Sequence, residues 1–245
     1  MSGRVYLVGA GPGDPGLMTM KGMRLLREAD AVVYDALANP ELLGSCRPDA
    51  LLIDAGKRGG DHTMTQDRTN AKLVELAAAG MTVVRLKGGD PFMFGRGAEE
   101  AEALRAEGIE VHAVPGISSA IAAPELAGIP PTHRDHAPLV TFITGHEKEG
   151  GGRIDWRRLA DGHGTLVILM GMGNAAVIAA ELAAAGMAPE TPAAVIVDGS
   201  LPTQRTERTT LADLAETIAV KGLKAPGVIV IGSTASVRDI IGDML

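Results

Sequence analysis

The sequence predicts an α/β protein made of two α/β domains with its active site in the cleft between them. Three observations carry that expectation. Short apolar runs rich in β-branched residues alternate with helix-length segments through the first half of the chain, as in a parallel sheet covered on both faces. After Pro115 the texture changes, and the second half supplies strands and helices of its own. A glycine- and proline-rich stretch at 85–100 directly follows one of the strands, the position where open α/β sheets bind ligands. The domains are expected to span 1–117 and 118–245.

Composition narrows the function classes. The chain has 245 residues, 46% of them apolar but only 2% aromatic, so the core is aliphatic and few platforms exist for stacking single-stranded nucleic acid. A net charge of −7 also argues against a nucleic-acid surface. No apolar run reaches membrane-spanning length and no signal-type apolar core precedes the first glycine loop. The single cysteine, Cys46, cannot form an intrachain disulfide. A cytoplasmic protein without nucleic-acid or membrane partners is expected.

In order, residues 4–8 read as a strand running into Gly9-Ala10-Gly11-Pro12-Gly13-Asp14. Thr19 caps a helix reaching about Ala29. Strands are expected at 31–34, 51–54, 81–86 and 110–114, with a Thr65-capped helix to about Ala79 and another at 98–106. Beyond Pro115-Gly116, a small-residue helix covers 118–127, and a stiff polar connection runs from Gly128 to His136. Strands follow at 139–144, 165–170, 193–197, 204–209 and 228–231, helices near 174–185 and 211–220, and a Gly-rich, mobile segment at 147–153.

The 85–100 stretch holds Gly88, Gly89, Gly95 and Gly97 around Pro91, together with Asp90, Arg96, Glu99 and Glu100. Its glycines permit positive φ and close backbone approach; a solvated turn would use the same residues, but less readily with this set of ligand-binding groups beside them. Gly11-x-Gly13-x-x-Gly16, with Asp35 ending the next strand, matches the dinucleotide fingerprint. Pro12 and Pro15 count against it, because they lack N–H groups where a pyrophosphate needs donors. Lys57, Arg58, Arg96 and Arg134 are the local cations at strand ends and in the stiff connection, and guanidinium groups suit carboxylates. His133 and His136 have no third partner at metal-ligand spacing, so no metal is expected. Cys46 lacks the neighbours of a nucleophile, and no G-x-S-x-G elbow is present.

Taken together, these stretches resemble the tetrapyrrole methylases, and within them the uroporphyrinogen-III C-methyltransferase family. The likeness rests on Val8-Gly-Ala-Gly-Pro-Gly-Asp14 with Leu17-Met-Thr19, Val32-Val-Tyr-Asp35, Gly56-Lys-Arg58, Val84-Arg-Leu-Lys-Gly-Gly-Asp-Pro-Phe92 and Phe94-Gly-Arg-Gly97 with Glu99-Glu100. It continues through Val114-Pro-Gly-Ile117, Gly128-Ile-Pro130, Thr132-His-Arg-Asp135, Thr144-Gly-His146, Met170-Gly171 and Asp198-Gly199. The first glycine loop alone marks only the wider superfamily.

The resemblance implies a homodimer that uses S-adenosylmethionine, releases S-adenosylhomocysteine, and methylates uroporphyrinogen III at C2 and C7 to give precorrin-2. It also assigns cofactor binding to the 118–245 domain, with 1–117 as the facing wall of the cleft. Carried over, cofactor contacts fall on Pro12, Gly88, Gly89, Asp90, Met93, Ser118, Ser119, Met170 and Gly199, with Ala225 and Pro226 bordering the adenine. Asp35 and Lys57 match proposed proton acceptor and donor positions, and Glu99 a rival base. The catalytic set is then Glu99, Asp35, Lys57 and Arg134, with the larger kcat loss expected at Glu99. Arg96, Arg134, Arg58 and Met170 are the substrate-binding set; an acidic chain needs such local cations to hold eight carboxylates. Departures from the family pattern are Ser118-Ser119 for Thr-Ala, Leu169 for Tyr, and Met93 for a branched aliphatic. With no dehydrogenase/ferrochelatase module ahead of it, the chain is expected to stop at precorrin-2. The alternatives are a later cobalamin-pathway methylase, a nicotinamide dehydrogenase using the first glycine loop, and a non-catalytic nucleotide-binding module.

Overall fold

The structure is a computed structural model that describes residues 3–56, 64–146, 154–161, 163–237 and 241. Lys57, Arg58 and the segment 147–153 lie outside the described residues. The chain divides into two compact units, Met1–Ser118 and Ser119–Leu245.

The first unit alternates strand and helix. Its strands are β1 (Arg4–Gly9), β2 (Ala31–Tyr34), β3 (Leu51–Asp54), β4 (Thr82–Lys87) and β5 (Glu110–Val114), and its helices are α1 (Met20–Glu28), α2 (Gln66–Ala78) and α3 (Gly97–Ala106). They form one sheet in the order β3-β2-β4-β1-β5 with every pair parallel. Thr19 Oγ1 accepts from Gly22 N and Thr65 Oγ1 from Arg68 N, so both helices start where a hydroxyl can satisfy an orphan N–H.

Strand periodicity sorts the core. Val5, Leu7, Ala31, Val33 and Val83 pack with Leu73, Leu76 and Leu104 of α2 and α3. Val8, Val32, Val84 and Leu86 pack on the other face with Leu25 and Leu26 of α1. The same alternation puts Arg85 and Lys87 on the α2/α3 face of β4, and β4 is the central strand. Two 3-10 turns, Pro15–Leu17 and Pro40–Ser45, lie where the sequence suggested only connections.

The second unit has α4 (Ser119–Leu126), β6 (Val140–Thr144), α5 (Trp156–Leu159), β7 (Thr165–Leu169), α6 (Ala175–Ala184), β8 (Pro192–Val197), β9 (Arg205–Thr210), α7 (Leu214–Val220) and β10 (Gly227–Ile231). Its sheet runs β6-β7-β10-β8-β9. Only β6 and β7 are parallel; β10 runs antiparallel to β7 and β8, and β8 to β9. The connection at 198–204 is too short for the crossover a parallel neighbour needs, so β9 returns beside β8. Ala120 and Ala123 of α4 cover one face of this sheet, while Ile178, Leu182 and Leu214 cover the other.

Candidate active site

At the carboxyl end of the first sheet, three loops meet backbone to backbone. Gly11 N donates to Gly89 O at 3.2 Å and Gly89 N to Gly11 O at 2.7 Å, so the loops after β1 and β4 pair like strands. Gly89 holds φ +65°, which favours glycine. A Cβ on Gly116 would lie 2.3 Å from Gly89 O and 2.7 Å from Gly9 Cα, so the loop after β5 closes on the same point. Asp90 fastens this junction: Oδ1 accepts from Phe92 N at 2.9 Å and Met93 N at 3.1 Å, and Oδ2 from Gly116 N at 3.1 Å. The backbone of Gly89 and the carboxylate of Asp90 therefore shape the loop.

This geometry also answers the dinucleotide reading. Gly11 N is committed to Gly89, Gly16 N donates to Asp14 Oδ1 at 2.7 Å, and a 3-10 turn separates the loop from α1. The loop presents no helix N-terminus to a pyrophosphate.

The loop 88–97 ends in Arg96, whose φ of +60° places it in the left-handed region at the start of α3. Arg96 Nε and Nη2 bind Glu99 Oε1 and Oε2 at 3.1 and 2.7 Å, with both side chains about half exposed. That hydrogen-bonded carboxylate raises the guanidinium pKa further above its usual range. Glu99 is thus an exposed carboxylate already clasped by a cation.

Beneath the loop lies a cluster that sequence reasoning missed. Arg85 is 4% exposed, Lys87 2% and Glu100 0%. Glu100 Oε1 accepts from Arg85 Nε at 3.0 Å, Lys87 Nζ at 3.0 Å and Gln66 Nε2 at 3.1 Å. Arg85 Nη1 donates to the carbonyls of Val33 and Leu86, and its Nη2 to Asp35 Oδ1. Lys87 Nζ stands 4.0 Å from Asp35 Oδ2. Burial pushes the Lys87 ammonium below the usual lysine range; Arg85 adds to this, while Asp35 and Glu100 oppose it. The sequence signal was available: two cations at alternate positions of a central strand cannot be left unpaired in a core.

In the second unit, β10 enters beside the ends of β7 and β8, with Val228 opposite Leu169 and Gly227 opposite Val197. Met170, Asp198, Gly199, Ala225 and Pro226 therefore gather at one end of this sheet. Met170, Asp198 and Ser200 hold φ of +56°, +52° and +73°, a clustering of backbone strain typical of ligand sites. Met170 is 51% exposed. Ser118, at the end of the first unit, is buried, and Ser119 opens α4.

Arg134 sits elsewhere in this unit. Its connection is closed by the His133–Ala137 bridge and tied by Ser233 Oγ to the His136 carbonyl at 2.8 Å. It precedes β6 and so lies at the opposite end of the second sheet from Met170. Arg134 is exposed and makes no ion pair with any described residue. No group of metal-binding side chains occurs among the described residues.

These residues fit S-adenosylmethionine. In the first unit Phe92, Phe94 and Ile117 expose apolar side chains after β4 and β5, and in the second Met170 is exposed on a turn where Met170, Asp198 and Ser200 hold positive φ; apolar surface with polar backbone groups on the same unit suits an adenosyl group with a polar tail.

Comparison with known proteins agrees. A family model described as Tetrapyrrole (Corrin/Porphyrin) Methylases matches residues 4–215, and the chain belongs to that family. It is 51% identical over 244 residues to an S-adenosyl-L-methionine-dependent uroporphyrinogen III methyltransferase of Methanosarcina barkeri, covering 98% of this chain and 95% of that protein. It is 48% identical to a siroheme synthase of Pseudomonas fluorescens, matching 97% of this chain but only 51% of that longer protein. The uroporphyrin-III C-methyl transferase of Thermus thermophilus, solved with S-adenyl homocysteine, superposes with a TM-score of 0.83 at 39% identity, covering 96% of this chain and 100% of that one.

Proposed function

We propose that the protein transfers methyl groups from S-adenosylmethionine to C2 and then C7 of uroporphyrinogen III, giving precorrin-2 by way of precorrin-1, on the route to sirohaem and cobalamin. The observation that carries this is near-full-length identity of 51% to a uroporphyrinogen III methyltransferase, together with the Gly-Gly-Asp-Pro-Phe loop folded at the end of the central strand.

S-adenosylmethionine, when bound, supplies an electrophilic methyl group and leaves as S-adenosylhomocysteine. In this reading Pro12, Gly88, Gly89, Asp90 and Met93 form the binding edge of the first unit. Ser118, Ser119, Met170, Gly199, Ala225 and Pro226 supply the remainder. The chain's task is to hold an electron-rich pyrrole carbon in line and to take the proton the macrocycle loses. Asp35 is the stronger candidate for that proton. It ends β2, is 29% exposed, and rests on Arg85, so it is both reachable and fixed. Glu99 is spent on Arg96, and its role is to aim that guanidinium. Arg96 and Arg134 are exposed cations that suit a polyanion with acids spread round its rim. Lys57 and Arg58 stay in the proposal as proton donor and substrate cation.

The reading includes a symmetric homodimer, a cytoplasmic location, and no nucleic-acid or membrane partner; no helix among the described residues is long and apolar enough to cross a membrane. Incubation with uroporphyrinogen III and S-adenosylmethionine tests the function: a product heavier by C2H4 is expected, and an unchanged macrocycle would overturn it.

A further inference from the structure

Of the groups the proposed chemistry leaves unused, the buried cluster on β4 and α3 makes the most specific contacts. It contains two cations and two carboxylates. Three of the four are within 5% of full burial, and only Asp35 reaches solvent, with 29% of its side chain exposed. Four elements converge on it: β4 brings Arg85 and Lys87, the end of β2 brings Asp35, and α3 brings Glu100, while Gln66 of α2 also donates to Glu100. Glu100 Oε2 has no hydrogen-bond partner among the described residues, and the three bonds to this carboxylate all fall on Oε1.

A stabilising role alone explains this arrangement poorly. Burying charges costs several kcal/mol each, and apolar replacements of such clusters are often at least as stable. The cluster has a direction instead. All three nitrogens of Arg85 are engaged: Nε binds Glu100, Nη1 binds two backbone carbonyls, and Nη2 binds Asp35 Oδ1. It works as a rigid strut. Lys87 is held at 3.0 Å by Glu100 yet faces the other oxygen of Asp35 at 4.0 Å. Its charge is the adjustable one, because a lysine ammonium can lose its proton and a guanidinium cannot.

We propose that Lys87 is a positioning residue for methyl transfer: held by Glu100, its ammonium faces Asp35 Oδ2 and keeps that carboxylate oriented to accept the substrate proton. The inference rests on the assignment of Asp35 above. Lys87 is buried and touches neither substrate nor cofactor in this arrangement; it acts through Asp35. The charged groups facing it are Arg85, Asp35 and Glu100. Because burial and Arg85 lower the pH at which Lys87 gives up its proton, the positioning charge disappears on the alkaline side before an ordinary lysine would titrate.

The test is a set of kcat–pH profiles for wild type, Lys87→Met and Lys87→Arg, with KM for uroporphyrinogen III and calorimetry with S-adenosylhomocysteine as controls. Lys87→Met is expected to lose about tenfold or more in kcat while KM and S-adenosylhomocysteine affinity stay within about twofold of wild type. Lys87→Arg is expected to recover most of kcat and to lose the wild-type alkaline limb, since guanidinium stays charged. A Lys87→Met enzyme with wild-type kcat overturns the proposal. So does a Lys87→Arg enzyme whose alkaline limb coincides with that of wild type, or a loss of cofactor affinity in step with kcat. Should either variant fail to fold by circular dichroism, the other decides alone. The parent reading fails separately, on the wild-type product mass and on an Asp35→Asn enzyme that keeps full kcat.

Discussion

Replacing Arg96 by alanine tells a surface ion pair from a ligand-binding group. The pair with Glu99 is bidentate, at 3.1 and 2.7 Å, but its partners are 50% and 45% exposed. Exposed pairs of this kind are worth roughly 0.2–1 kcal/mol. Alanine at the same left-handed φ inherits the same backbone strain, so that term largely cancels. Urea denaturation of Arg96→Ala should therefore show a stability loss of about 1 kcal/mol or less. A substrate carboxylate that loses its guanidinium forfeits charge-assisted bonds worth ~1.5–3 kcal/mol, so KM for uroporphyrinogen III should rise roughly tenfold to a hundredfold. Affinity for S-adenosylhomocysteine should not move. A KM within about twofold of wild type would refute the reasoning, as would a stability loss of ~3 kcal/mol, which would make Arg96 a structural residue.

Other perturbations separate the remaining roles. Glu99→Gln should keep most of kcat while Asp35→Asn loses it, reversing the order expected from the sequence; single-turnover rates decide, and a larger loss at Glu99 restores Glu99 as the base. Gly116→Ala should lower stability by ~1–3 kcal/mol or more, seen as a lower urea midpoint, because the new Cβ meets backbone, at 2.3 Å from Gly89 O and 2.7 Å from Gly9 Cα; an unchanged midpoint contradicts the three-loop junction. Arg134→Ala should impair methyl transfer with S-adenosylhomocysteine affinity intact, because Arg134 and Met170 occupy opposite ends of one sheet; calorimetry showing a parallel loss would contradict that division. Lys87 also predicts a stability trend. Its folded-state pKa lies below the ordinary 10.5, so the unfolded chain binds the proton more tightly. The cost of burying the charge is present in full at lower pH and is relieved as pH rises from the folded value to 10.5. Wild type should gain stability relative to Lys87→Met across that alkaline window, and a constant difference in urea denaturation would count against it.

Local signals in the sequence located most of the elements. The strands at 31–34, 51–54 and 110–114 fall where short apolar runs placed them, and Thr19 and Thr65 cap the helices they were expected to cap. The mixed direction of the second sheet was not legible, since strand runs carry no orientation and only the short 198–204 connection hints at it. The Arg96–Glu99 pair was within reach of sequence reasoning, because three residues apart at a helix start are neighbours. The Asp35–Arg85–Glu100 chain was not: its members are 50 and 15 residues apart, and only the register of β2 against β4 brings them together. The glycines were read as room for a ligand. At Gly89 the structure gives that glycine a prior duty, which is to let three loops touch, and Gly116, read from the sequence only as the end of a strand, shares it.

The proposed enzyme methylates each uroporphyrinogen III twice. Mass spectrometry of the macrocycle during a time course with excess S-adenosylmethionine tests it most directly. The expected record is a transient species heavier by CH2, followed by a stable one heavier by C2H4, with two equivalents of S-adenosylhomocysteine released per macrocycle. A macrocycle that never gains mass, or that stops at one methyl group with cofactor in excess, would contradict it.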